Sequence, residues 1–184
     1  MPTTSGATYA KLSTRKNWRR HLFFALAIEN RSSDLLVREI ARLRRAYRYV
    51  QQTRPFKTLS ICVLPDHLHA IWSLPADDCD FAGRWNLING GFSRGLPAAL
   101  STPSKKRKRE KGIWQRCYWE HVIRDGEDLA RHIAYIHFNP VKHGLVPRAS
   151  DWPHSSFHQF VKRGDLPADW GGDTHDTPNE TFGE

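Results

Sequence analysis

Hydrophobic positions along this chain fall into short dense runs that alternate with longer periodic stretches. Residues 21–28 (HLFFALAI) are short, apolar and aromatic-rich, and read as a buried strand. Asp34 stands where a helix would be capped, and Leu36, Ile40, Leu43 and Tyr47 then recur at helical spacing with arginines opposite, which predicts a helix to about Gln52. Residues 57–64 and 67–74 are two apolar-rich runs joined at Pro65-Asp66, the clearest hairpin in the chain. A second helix is predicted over 80–99, with Gly90-Gly91 and Gly95 working against its full length. Residues 113–123 (IWQRCYWEHVI) predict another strand. A third helix is predicted to start near Asp125, with Asp128 three residues on, and to stop at Pro140; residues 151–162 predict a short closing helix.

Strand, helix, two strands, helix, strand, helix is an α+β order with no βαβ run. It predicts an antiparallel sheet with packed helices, a ferredoxin-like or RRM-like sandwich, and argues against a doubly wound sheet. At 184 residues one domain is expected, over 1–165, followed by an acidic tail over 166–184 that should lack structure. Cys62, Cys79 and Cys117 are an odd set without CxxC spacing, which argues against a zinc knuckle and against a secreted disulfide framework. Residues 1–20 are polar and basic and no apolar run would span a bilayer, so no signal peptide, no membrane partner and a cytoplasmic, nucleoid-associated location are expected.

Charge narrows the partner. The chain carries +9, yet residues 163–184 hold six acids against Arg163, a net of −5, which leaves +14 on the remaining 162 residues. Such a footprint suits a polyanion, most simply nucleic acid. The block Lys105-Lys106-Arg107-Lys108-Arg109 should be a solvated loop, and with Arg116, Lys142 and His143 it supplies the candidate phosphate contacts. Trp85, Trp114 and Trp119 lie near basic residues, as base stacking requires, although a core role is the commoner one for each.

Two segments carry candidate chemistry. Residues two apart on a strand share a face, so His67 and His69 point together while Leu68, Ala70 and Trp72 point away. Two neutral imidazoles so placed can hold one divalent cation. On the third helix, Leu129, Ile133 and Ile136 define the buried stripe. Taking Leu129 as origin, Tyr135 and Asn139 project at about 240° and 280°, neighbours at the stripe's flank, with His132 near about 300°. His137 projects to about 80° and is rejected as a site residue. Tyr118 reads as packing, and Glu120 and His121 border the region with no role assigned.

His67-Leu68-His69 is an HUH motif, and it is followed by Trp114-Gln115-Arg116, Trp119-Glu120-His121, Tyr135-Ile136-His137-Phe138-Asn139-Pro140-Val141-Lys142-His143-Gly144-Leu145 and Trp152-Pro153-His154-Ser155-Ser156-Phe157. Over roughly residues 18–172 the chain resembles the REP-associated tyrosine transposases, relatives of the single-domain tyrosine transposases of bacterial insertion sequences. The resemblance implies a metal-dependent endonuclease and strand transferase for single-stranded DNA that forms REP-like hairpins, working through a 5′-phosphotyrosine. It makes Tyr135 the nucleophile, His67 and His69 metal ligands, and Asn139 a third, polar ligand for Mg²⁺ or Mn²⁺. It also suggests a monomer, with the dimer of the insertion-sequence relatives as the alternative. A phenol of ordinary pKa about 10 needs help to attack a phosphodiester, and the metal fits as a Lewis acid on that phosphate. The competing class of function is a non-catalytic regulator that binds DNA hairpins.

Overall fold

A computed structural model describes residues 18–99, 104, 107 and 111–171. The described elements are β1 (His21–Ala27), α1 (Leu35–Arg38), α2 (Ile40–Thr53), β2 (Lys57–Val63), β3 (His67–Ser73), α3 (Phe81–Ser93), β4 (Trp119–Val122), α4 (Gly126–Lys142) and α5 (Phe157–Lys162). The four strands form one sheet in the order β2-β3-β1-β4, with every neighbouring pair antiparallel. This is the strand order of the ferredoxin-like sandwich expected from the sequence.

Strand alternation divides the side chains between two cores. Leu22, Phe24 and Leu26 of β1 join Leu68, Ala70 and Trp72 of β3 on the face covered by α1–α3. Phe23 and Ala25, with Cys62 and Ile71, face α4 and α5 instead. β3 is buried along its whole length because it is central and covered on both faces. His67 and His69 therefore lie on the α4 side, in a low-dielectric layer and not at a rim.

Several boundaries differ from the sequence pattern, each for a local reason. The first predicted helix breaks at Glu39 into α1 and α2, and Asp34 makes no side-chain cap there. Asp34 instead receives a hydrogen bond from Arg38, while the Ser33 hydroxyl accepts from the Leu35 amide. The second helix ends at Ser93, well before 99, and Gly95 turns the chain away with φ of +81°. Gly91 belongs inside α3 because α2 presses on it: a Cβ there would stand 3.0 Å from the Ala46 Cβ. Only residues 119–122 of the predicted 113–123 strand are strand, with Trp114 making a single bridge to Ile28. The predicted closing segment is a 3₁₀ turn at Ala149–Asp151 followed by α5. Packing continues past 165, since Leu166 is buried and Trp170 packs with the second core; the acidic residues 172–184 lie outside the described residues.

The third helix corrects the prediction that matters most. It does not stop at Pro140 but carries that proline inside it and runs to Lys142. Pro140 has no amide to give the Ile136 carbonyl, so the helix forgoes one hydrogen bond in its last turns and still continues. The stop comes from Gly144, with φ of +66°. Its amide bonds to the Val141 carbonyl at 2.9 Å and the Leu145 amide to the Pro140 carbonyl at 2.9 Å. That pair of bonds is a Schellman motif. At the other end Asp125 caps as expected, accepting from the Asp128 amide at 2.8 Å.

Candidate active site

The turn between β2 and β3 is pinned before any chemistry is considered. The Ile28 amide bonds to the Asp66 carbonyl at 2.8 Å, and the Leu36 amide bonds to the Pro65 carbonyl at 3.0 Å. So fixed, the Asp66 carboxylate accepts from His67 Nδ1 at 2.7 Å and from Arg31 Nε at 2.9 Å. This sets the His67 tautomer and leaves Nε2 to face the site, where it has no hydrogen-bond partner.

His69 follows one pleat later, with its ring centroid 5.0 Å from that of His67. It is fully buried, and neither ring nitrogen has a hydrogen-bond partner. Burial holds both imidazoles below their ordinary pKa, His69 well below, with the nearby cations Lys142 and Arg31 acting on His69 in the same direction. Both are therefore neutral at pH 7, the form that binds metal.

α4 crosses above this pair. The Tyr135 ring lies 5.2 Å from His69, and His143, at the helix C-cap, lies 5.0 Å from His67. Tyr135, Asn139 and His143 are spaced four residues apart on one helical face. Asn139 thus sits between the two residues that touch the histidines. It is fully buried, with neither amide atom hydrogen-bonded. An unpaired buried amide costs on the order of 1–3 kcal/mol. Two bare imidazole edges and a bare carboxamide on facing elements make a donor set that suits a divalent cation. The Lys142 ammonium lies over the Tyr135 ring, 5.1 Å from its centroid.

His137 lies where helical projection puts it, away from Tyr135 and Asn139. It points to the other flank, bonded through Nε2 to the Ser60 and Ser156 hydroxyls at 3.2 and 3.0 Å. Burial pushes its pKa down to about 3. Tyr118 packs against the first core, as expected. Trp85 is core, while Trp119 is 39 % exposed. Of the basic block only Arg107 is described; it is exposed with helical backbone, where a loop was expected, and Lys105, Lys106, Lys108 and Arg109 lie outside the described residues. Arg116 is exposed and donates to the Ser104 hydroxyl at 3.1 Å. Lys142 belongs to the helix and does not follow it.

Sequence reasoning missed a second cluster. His121, Asp128 and His132 bring ligand-type atoms within 4.8 Å of one another. The Asp128 carboxylate, 1 % exposed, accepts from His121 Nε2 at 2.8 Å and from the Arg124 amide at 3.0 Å, with the Arg131 guanidinium at 3.5 Å. Its backbone carbonyl accepts from His132 Nδ1 at 2.8 Å. The His121 and backbone hydrogen bonds outweigh the cost of burial and bring the Asp128 pKa down to about 2. A carboxylate already engaged by a histidine and two arginines is poorly placed to hold a cation, so this cluster is a tie between β4 and α4. The spacing Asp128–His132 is a visible helical i, i+4 pair, but only the fold brings His121 to it.

Comparison with known proteins bears on this geometry. No family model matches the chain. A protein of Haemophilus influenzae named as a REP-associated tyrosine transposase is 45% identical over 152 residues, covering 82% of this chain and 86% of its own length. An Escherichia coli K12 REP-associated tyrosine transposase is 43% identical over 154 residues, covering 84% and 86%. A solved structure of a REP-associated tyrosine transposase bound to a REP hairpin superimposes with a TM-score of 0.73 at 41% identity, covering 89% of this chain and 93% of that one. Among the described residues no helix is long and apolar enough to cross a membrane.

Proposed function

The chain belongs to the REP-associated tyrosine transposases, and from that premise we propose that it cuts and rejoins single-stranded DNA beside REP-type hairpins, with Tyr135 as nucleophile. The observation that carries this reading is the set of bare polar atoms around Tyr135: the Nε2 of His67, both ring nitrogens of His69 and the carboxamide of Asn139. Such an arrangement is costly in a core unless a ligand completes it.

In the proposed reaction the Tyr135 hydroxyl oxygen bonds to the phosphorus, and the bond from phosphorus to the 3′-oxygen breaks. The products are a 5′-phosphotyrosine and a free 3′-hydroxyl; the phenolic proton leaves to water or a base, and a proton from water or from that conjugate acid completes the 3′-hydroxyl. Attack by a 3′-hydroxyl reverses the step, so no nucleotide hydrolysis is required. Lys142, over the ring, stabilises negative charge as it grows on the phenolic oxygen. His67, His69 and Asn139 would hold Mg²⁺ or Mn²⁺, which supplies Lewis acidity toward the phosphate oxygens. Asp66 and Arg31 fix the His67 ring in the orientation this requires. The hairpin as partner is supported by the REP hairpin bound to the related structure.

The test is incubation with an oligonucleotide carrying a REP-type hairpin with unpaired flanks, in Mg²⁺ or Mn²⁺. A protein–DNA adduct that survives denaturant, and is lost on chelation and in Tyr135→Phe, is the expected result. Tight binding with no cleavage at any flank position would leave a hairpin-binding regulator and end the nuclease reading.

A further inference from the structure

Three rings beside the site lie almost parallel. Trp119 stacks on His121, with centroids 5.7 Å apart and planes 8° apart. His121 stacks on His132 at 4.8 Å and 11°. The first two share a sheet face because they are two residues apart on β4, and the third reaches down from α4. Asp128 anchors the inner rungs, its carboxylate to His121 and its carbonyl to His132. The outer rung, Trp119, is 39 % exposed and stands on β4, the strand at the end of the sheet.

We infer that Trp119 is the stacking platform for an unpaired base of the DNA strand close to the scissile phosphate, and that His121 and His132 hold the plane of its indole. This rests on the nuclease reading above and adds the residue that receives a base. The sheet register sets the distance. Trp119 and His69 are both paired with Ala25, one from each side, so they flank a single small residue on one face of the sheet. Two strand spacings separate them by about 10 Å. A base on Trp119 therefore belongs to a nucleotide near the one whose phosphate meets Tyr135.

Phe23 ties the platform to the site. Its ring lies 5.5 Å from Trp119, 5.6 Å from His69 and 6.2 Å from Tyr135. Charge favours a nucleic-acid occupant over an apolar one. Arg124 and Arg131, whose side chains are 66% and 43% exposed, flank the ladder at Asp128, placed to meet neighbouring phosphates. Stacking on an indole is tolerant of base identity, since every base offers a π-face. A ladder whose planes are already aligned loses little freedom when a fourth ring is added.

The experiment uses the full chain and an oligonucleotide with a REP-type hairpin and unpaired flanks, each flank position in turn carrying 5-iodouracil. Irradiation should cross-link one or two flank positions to Trp119, mapped by mass spectrometry of the peptide. Trp119→Ala should lose that cross-link and weaken flank-dependent binding by roughly 5- to 150-fold. Trp119→Phe should keep both in large part, and His121→Ala should lower the cross-link yield by freeing the indole plane. Cross-links that map elsewhere, or unchanged binding and cleavage in Trp119→Ala, overturn the inference while leaving the nuclease reading intact. Cross-linking through Trp119 by a wild-type chain that never cleaves keeps the platform and ends the nuclease reading instead.

Discussion

His69 and Tyr135 meet ring edge to ring face, 5.2 Å apart, one from the middle of the central strand and the other from the helix laid across it. Neither ring can move far without disturbing Phe23, which touches both. The proposed ligand and the proposed nucleophile are therefore positioned by a packed core, and the residues that set their orientation become testable one at a time.

Asp66 is the first of these. It holds His67 Nδ1 at 2.7 Å and is itself held by Arg31 at 2.9 Å. Asp66→Asn keeps the shape but can present an N–H to the ring in place of an oxygen, which frees the tautomer. Mn²⁺ affinity should fall by about 10- to 100-fold. Calorimetric titration of wild type and variant with Mn²⁺ alone checks this, and equal affinities would remove Asp66 from the site.

Asn139 gives a prediction with two opposite signs. Its carboxamide is fully buried with no hydrogen-bond partner. Asn139→Leu, close in volume, removes that cost and should stabilise the metal-free protein by on the order of 1–3 kcal/mol. The same change should reduce the rise in melting temperature that Mn²⁺ produces in wild type. Thermal unfolding with and without Mn²⁺ reads both effects. A destabilised variant with its full metal response would show that Asn139 serves the core and not the site.

Much of this was legible in the sequence, and the reasons differ by element. The period-two argument needs only a strand, and the strand was marked by an apolar run and a hairpin turn, so the shared face of His67 and His69 followed. Helical projection likewise separated Tyr135 and Asn139 from His137, because angles on a helix depend on local geometry alone. The end of α4 was misjudged because Pro140 is an obvious stop and Gly144 a quieter one; the Schellman bonds that end the helix become visible only in three dimensions. The Trp119–His121–His132 ladder was illegible for a stronger reason. It joins a strand to a helix through Asp128, and no local pattern says that these will meet.

Lys142 should tune the nucleophile. Its ammonium lies 5.1 Å from the Tyr135 ring centroid, close enough to stabilise negative charge that grows on the phenolic oxygen during attack. Lys142→Gln keeps much of the stem and loses the charge. Cleavage near neutral pH should slow by roughly tenfold, read as the rate of adduct formation at saturating hairpin. Hairpin binding should weaken only as one lost phosphate contact would allow, with a slightly shallower salt dependence. A uniform loss of binding with an unchanged rate of adduct formation at saturating hairpin would make Lys142 a DNA contact and nothing more.

Acid sensitivity should come largely from histidines buried in the neutral form. His137 has its pKa pushed down to about 3 by burial, while in the unfolded chain it returns to about 6.5. Between those values the unfolded state binds more protons, so stability rises with pH and is lost on acidification. His137 contributes fully above pH about 6.5, and its contribution fades as pH falls toward 3, a total on the order of several kcal/mol. His67, His69 and His132 are depressed in the same direction and share this limb. Asp128, lowered to about 2, acts in a separate window, with its contribution present above about 4 and lost below that. His137→Asn can keep a hydrogen bond to Ser60 or Ser156 but has nothing to protonate. Urea unfolding at intervals from pH 7 to pH 4 should therefore show a shallower fall in stability for the variant, with some loss at pH 7 from imperfect packing. An unchanged slope would mean that the His137 ring takes up its proton alike in the folded and unfolded states, and the burial argument for it would fail.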